Sequence, residues 1–105
     1  MKLENKVAIV TGGGKGIGAE ICLRLAKEGA KIVIAEMDIE SGKNTQKKIM
    51  ENEGDAIVVN TNVADEVSVN NMAEEAGKKF SKIDILINNA GNVVSKIRQV
   101  IFLFA

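Results

Sequence analysis

Residues 11–18 read TGGGKGIG, and no other stretch of the chain concentrates as much chemical potential. Glycines at this density let a backbone turn sharply and approach a ligand with no Cβ in the way. The run lies between the apolar stretch Val7–Val10 and a segment in which Ile17, Ile21 and Leu25 recur at helical spacing. A strand that turns through glycines into a helix leaves the first helical N–H groups without internal partners, at the positive end of the helix dipole. Such a junction is a cradle for phosphate. The run fits G-x-G-x-x-G only loosely, as Gly14, Gly16 and Ala19; T-G-x-x-x-G-x-G, through Thr11, Gly12, Gly16 and Gly18, describes it better. Gly18 reads as a close-packing position between helix and strand. Lys15 is either a phosphate contact or a solvated loop cation.

Two more groups belong to the same chemistry. Glu36 ends a second apolar run, eighteen residues after Gly18. A carboxylate there can accept both hydroxyls of an adenosine ribose and repel a 2′-phosphate; the plain alternative is a solvated charge at a strand end. Asp38, two residues on, reads as a helix-start residue. The stretch INNAG at 87–91 closes a fourth apolar run. Asn88 and Asn89 can tie neighbouring strand ends together through their amides, while Ala90 and Gly91 keep the backbone open to a ribose. By itself the stretch is also an ordinary Asn-Gly-type turn.

The elements that must position these groups follow from periodicity. Continuous apolar runs at Lys6–Thr11, Lys31–Ala35, Ala56–Asn60 and Ile83–Ile87 read as strands buried on both faces of a parallel sheet. Helices are expected between them. The first spans Ile17–Glu28, with Cys22 and Ala26 beside the Ile17, Ile21, Leu25 row and Gly29 as its stop. The second spans Ile39–Asn52, with Ile49 and Met50 pointing inward and Gly54 as its stop. The third is capped by Asp65 and carries Val69, Met72, Ala73, Ala76 and Phe80 as its core stripe. The order βαβαβαβ with right-handed crossovers predicts an α/β fold, a doubly wound, Rossmann-type parallel sheet of strand order 3-2-1-4 with helices on both faces. Its ligand crevice opens between the first and fourth strands at their carboxyl ends, where the winding reverses.

Composition sets bounds on everything else. The 105 residues make one domain, with 14 basic and 14 acidic side chains interspersed and no net charge. Nothing there steers the chain toward nucleic acid or an anionic membrane surface. The start MKLENKVAIV is too polar for a signal peptide, which predicts a cytoplasmic location. Cys22 is the only cysteine and falls on the first helix, so a buried, inert thiol is expected.

The chain resembles the N-terminal half of a classical short-chain dehydrogenase/reductase. The residues that carry the likeness are TGGGKGIG after the first strand, Glu36 after the second, Asn62-Val63 after the third and IDILINNAG at 83–91. The resemblance is nearest to the glucose dehydrogenase and 3-oxoacyl-acyl-carrier-protein reductase group. It implies that Gly12, Lys15, Gly16, Ile17 and Gly18 hold a pyrophosphate, Glu36 the adenine ribose, and Asn62 and Val63 the adenine. It further implies that Asn89, Ala90 and Gly91 line the ribose beside the nicotinamide. The implied cofactor is NAD, with NADP possible, and no metal. The family's usual state is a homo-oligomer, through interface elements this sequence does not contain.

The departures from the family are as informative. The resemblance covers residues 1–91, the dinucleotide-binding half-domain; the 92–105 tail, NVVSKIRQVIFLFA, matches no family pattern. The Ser and Tyr-x-x-x-Lys that the family uses for proton transfer have no counterpart here, and the sequence contains neither Tyr nor His. Ser95 and Lys96 are adjacent residues with no partner base and do not replace them. A truncated or frameshifted portion of an NAD(P)-dependent oxidoreductase is therefore expected, inactive by itself; a stand-alone nucleotide-binding or interaction module is the alternative. The fourth strand would also be an exposed apolar sheet edge unless the tail covers it, as a fifth strand or as a helix with Ile97, Val100, Ile101 and Phe104 on one face.

Overall fold

The computed structural model describes residues 2–89 and the backbone of residues 99–102. Along the chain run β1 (Val7–Thr11), α1 (Gly16–Lys27), β2 (Lys31–Glu36), α2 (Ile39–Glu51), β3 (Ala56–Asn60), α3 (Glu66–Phe80), β4 (Ile85–Asn88) and β5 (Gln99–Phe102). The strands form one sheet in the order β3-β2-β1-β4-β5. The first four are parallel in the predicted 3-2-1-4 order, and the winding reverses between β1 and β4. β5 pairs antiparallel with β4, Leu86 opposite Ile101 and Ile87 opposite Val100. Of the two conformations open to the tail, its 99–102 segment takes the strand.

Strand periodicity divides the core into two layers. Ala8, Val10, Ile32, Ile34, Ile85 and Ile87 face α1 and α2, where they pack with Cys22 and Ile49. Val7, Ile9, Val33, Ala35 and Val59 face the other way and pack on Met72 and Ala76 of α3. Both faces of β1 and β2 are thus buried, which explains why they read as unbroken apolar runs rather than alternating ones. β4 starts at Ile85 rather than Ile83. Just before it, Asp84 clamps the strand to β1: its N–H donates to the Val7 carbonyl and its carboxylate accepts the Val7 N–H, both at 2.9 Å.

The helices depart from expectation at particular side chains. Met50 is exposed, and Ile49 alone carries that turn of α2 into the core. Ala73 is also exposed, while Val69 and Phe80 lie at the margin of the α3 layer. On α1 the buried positions are Gly18 and Cys22; Ile17 is exposed and, with Ile21 and Leu25, lines an open surface groove. Ile21 and Leu25 of this row still pack at the margin of the core layer, and only Ile17 falls outside it, because Gly18 and not Ile17 supplies the close contact. α1 ends as predicted, with Gly29 at a φ of 96°. After α2 the left-handed residue is Glu53 at 66°, one position ahead of Gly54.

Candidate functional site

Parallel pairing brings the carboxyl ends of β1, β2, β3 and β4 to one edge of the sheet, and the candidate residues follow those ends. The glycine loop leaves β1 at Thr11 and enters α1 at Gly16. Gly12 and Gly16 adopt left-handed backbone, with φ of 66° and 50°. The loop's other glycines are demanded by packing. A Cβ at Gly13 would lie 2.8 Å from Cys22 Sγ, and one at Gly14 would lie 2.7 Å from the Gly42 N of α2. A Cβ at Gly18 would collide with the Gly12 carbonyl oxygen and approach Asn89 Nδ2 to 2.6 Å. At Gly16, by contrast, a Cβ would meet nothing within 4 Å. Gly16 borders open space, and the glycines around it hold the loop against the fold.

Helix ends differ in a way that bears on phosphate. Asp38 caps α2 by accepting from Ser41 N, and Asp65 caps α3 by accepting from Val67 N; each of these helices also has a Glu in its first turn. α1 starts from Lys15 with no side-chain cap and no acid in its first turn. Among the described helices it alone presents an N-terminus uncapped by a side chain, and this is the one that adjoins the open side of the glycine loop.

Glu36 stands at the end of β2, half-buried, and both its oxygens are engaged. Oε1 accepts the Gly14 N–H at 2.9 Å and Oε2 the Asp38 N–H at 3.1 Å. A carboxylate offers about four acceptor sites, so these two backbone donors fix its orientation and leave capacity for ribose hydroxyls. Thr45 adds a second tie to the loop, its hydroxyl 3.4 Å from the Gly14 carbonyl. Across the mouth of this region Lys15 Nζ pairs with Asp38 Oδ2 at 2.9 Å. The Lys15 hydrogen bond, then those from Ser41, hold the Asp38 carboxyl down at about 2, and the same bond raises the Lys15 ammonium above its ordinary value.

β3 delivers Asn62 and Val63 beside Glu36. Asn60 is in register with Glu36, and the Thr61 N–H donates to the Glu36 carbonyl at 3.2 Å. The Asn62 side chain then turns the loop by accepting the Ala64 N–H, and Val63 is left exposed. At the β1–β4 junction Thr11 is buried. Its hydroxyl accepts the Asn89 N–H at 2.9 Å and lies 3.2 Å from Asn88 Oδ1 and 3.4 Å from the Ile87 carbonyl. Asn89 Nδ2 reaches the Gly12 carbonyl at 3.4 Å, so the β4 end and the glycine loop are sewn together. Ala90 and Gly91 lie outside the described residues, as do Ser95 and Lys96.

In the sequence Thr11 stands only as a motif position, and Thr45 lies outside every motif. A hydroxyl residue closing an otherwise apolar, two-face-buried strand was the available signal for Thr11. Thr45 gave none, since it sits in a helix that is polar nearly throughout. Cys22 is buried as expected; burial, with the Glu36 charge adding to it, pushes its thiol up to about 12. No group of three or more metal-ligating side chains occurs among the described residues.

Comparison with known proteins decides the lineage. The sequence profile of the short chain dehydrogenases matches residues 6–101, and so runs past Gly91 into the 92–105 stretch for which no family pattern was expected. The chain belongs to the short-chain dehydrogenase family. An uncharacterized oxidoreductase of Thermotoga maritima is 48% identical over 88 residues, covering 84% of this chain and 34% of its own. The 7alpha-hydroxysteroid dehydrogenase of Escherichia coli K12 is 34% identical over 91 residues, 87% of this chain and 36% of that one. A solved structure of 7 alpha-hydroxysteroid dehydrogenase with NADH and 7-oxo glycochenodeoxycholic acid superposes with a TM-score of 0.85 at 34% identity, over 87% of this chain and 36% of that chain. A short chain dehydrogenase of Burkholderia cenocepacia in complex with NADP gives 0.84 at 38% identity, over 88% and 38% of the two chains. The short-chain dehydrogenase chain described here thus spans about a third of the length of these relatives. No helix among its described residues is long and apolar enough to cross a membrane.

Proposed function

We propose that this chain binds NAD(H), with NADP(H) as a weaker ligand, as the nucleotide-binding portion of a short-chain dehydrogenase. Residues 1–91 are the dinucleotide-binding half-domain and 92–105 the apolar tail beyond it. The observation that carries the reading is the α1 N-terminus, which no side chain caps, opening beside Gly16 with the Glu36 carboxylate oriented at the next strand end. The α1 N–H groups and the backbone at Gly12, Lys15, Gly16 and Ile17 hold the pyrophosphate, with Gly18 keeping the helix close enough to do so. Glu36 accepts the adenosine ribose hydroxyls, Asn62 and Val63 border the adenine, and Asn89, Ala90 and Gly91 border the second ribose. When bound, the nicotinamide supplies hydride exchange with an alcohol or ketone. This chain's residues bind and orient it but offer no phenol or imidazole to move the accompanying proton. That favours binding without turnover.

The reading is tested by titrating the 105-residue polypeptide with NADH and following nucleotide fluorescence, beside a thermal melt by circular dichroism that establishes folding. Saturable binding is expected, weakened roughly tenfold or more in Glu36→Gln, because a hydrogen bond to a charged group contributes about 1.5–3 kcal/mol. No NADH should accumulate when the chain is incubated with NAD and simple alcohols. A folded chain that ignores millimolar NADH would leave the interaction-module alternative standing in its place.

A further inference from the structure

Building on the dinucleotide reading, we infer that Thr45 of α2 is a positioning residue for the pyrophosphate cradle: its hydroxyl holds the Gly14 carbonyl and so fixes the stretch from which the α1 N-terminus opens. Thr45 is none of the proposed cofactor residues. It is nevertheless only 3% exposed, and its hydroxyl ends 3.4 Å from the Gly14 carbonyl oxygen. Gly14 is followed by Lys15, the N-cap of α1, and by Gly16 at the first position of that helix. Whatever moves Gly14 therefore moves the first N–H groups of α1, the ones that lack a partner inside the helix and would meet a phosphate.

Gly14 is gripped from three directions. Its N–H donates to Glu36 Oε1 at 2.9 Å. Its α-carbon rests on the first turn of α2, where a Cβ would stand 2.7 Å from the Gly42 N and 2.8 Å from Ser41 Cβ. That turn is itself seated on β3, since a Cβ on Gly42 would stand 2.7 Å from Val58 Cγ1. The Thr45 hydroxyl closes the third side. It lies 3.4 Å from the Gly14 carbonyl and equally 3.4 Å from the Ser41 carbonyl, one turn back in its own helix. The Ser41 carbonyl alone is enough to pair this buried hydroxyl, so the tie to Gly14 is not a requirement of α2. Its effect falls on the loop. A loop ordered before its ligand arrives need not be assembled during binding, and apparent affinity drops with the fraction of molecules in which it is out of place.

Thr45→Val removes the donor and keeps the branched shape. NADH and adenosine are titrated separately into the 105-residue wild type, Thr45→Val and Thr45→Ser, the first followed by nucleotide fluorescence and the second by protein NMR shifts, with a urea melt of each protein. Thr45→Val should bind NADH roughly two- to tenfold more weakly, the span of one neutral hydrogen bond. Thr45→Ser keeps the hydroxyl and should stay within about twofold of wild type. Adenosine carries no pyrophosphate, and Glu36 remains held by the Asp38 N–H at 3.1 Å when Gly14 loosens, so its affinity should be the same in all three. The melts should not follow the NADH loss, because a methyl in place of the hydroxyl stays buried and α2 gives up only its bond to Ser41. Thr45→Ala carries the same expectation for both ligands if Thr45→Val does not fold. NADH binding untouched in Thr45→Val, an equal loss in Thr45→Ser, or an equal loss for adenosine overturns this inference and leaves the binding proposal intact. A folded wild type that binds no NADH overturns both.

Discussion

A Cβ is the smallest perturbation that can be written into this site, and at Gly18 it has nowhere to go. The added methyl would run into the Gly12 carbonyl and Asn89 Nδ2, atoms of the loop and of the β4 end. Gly18→Ala should therefore lower stability by about 1–3 kcal/mol, the usual range for overpacking, and weaken nucleotide binding further by displacing Gly12. Urea melts and an NADH titration on the same variant check both. Cys22 gives the pH counterpart. Its thiol is held neutral up to about 12 against an ordinary value of 9.0, chiefly by burial. A raised folded value contributes stability that is complete below the unfolded pKa, so stability should fall as pH climbs from about 9 toward 12. Cys22→Ala should flatten that part of the profile in urea melts, and the wild-type thiol should react with a disulfide reagent only as fast as the helix opens. At this scale the sequence was legible where a residue's role is backbone conformation or simple burial, as for Gly12, Gly16 and Cys22. It was silent on the Lys15–Asp38 pair, which depends on two loops meeting.

Elements were legible because each carries its period plainly, and the lapses share a cause. Periodicity says which side chains share a face but not which face the tertiary contacts select. The Ile17, Ile21, Leu25 row is a true helical face, yet Gly18 brings α1 down on its Gly18–Cys22 side. Likewise Ile49 and Met50 are adjacent on α2, and only one of them can face the sheet. The start of β4 was hidden because Asp84, inside an apolar run, serves as a clamp on Val7 rather than as a ladder residue. Burial would raise the Asp84 carboxyl, but the Val7 N–H and Lys82 outweigh it and hold it below the ordinary value. A depressed folded value contributes stability present above the unfolded pKa and lost as pH falls through the folded one, so acid should loosen the β1–β4 junction below about pH 4. Asp84→Ala should cost about 1–3 kcal/mol by leaving the Val7 N–H without its acceptor, and should reduce the acid sensitivity seen in urea melts. α3 offers the opposite case. Gly77 lies within the helix, exposed, and a Cβ there meets nothing within 4 Å. Gly77→Ala should raise stability by about 1 kcal/mol through helix propensity alone.

On the scale of the whole molecule, the strand that lies beyond β4 among the described residues is β5. β4 is apolar and short, and its side away from β1 would be a row of open backbone donors and acceptors were β5 not paired there. The direction of that pairing was not legible in the tail, because Val100–Phe104 satisfies helical and extended patterns equally and the choice is made by the edge it meets. An antiparallel partner has a specific consequence. Along β5, successive N–H groups point alternately toward β4 and away from it. Proline removes the N–H and is tolerated only where that group faces outward. Of the two variants Val100→Pro and Ile101→Pro, one should therefore cost about 1–3 kcal/mol and the other distinctly less, since only one of them deletes a ladder bond. The costly variant should also scatter more light on warming, as the β4 edge it uncovers finds other chains. Equal melts for the two, with no difference in scattering, would mean that the tail does not close the sheet. The proposed nucleotide-binding end depends on that closure, because Asn88, the last residue of β4, and Asn89, the first beyond it, hold Thr11 and the glycine loop in place. The costly proline should for this reason also weaken NADH binding, although it lies on a strand that carries none of the proposed cofactor residues.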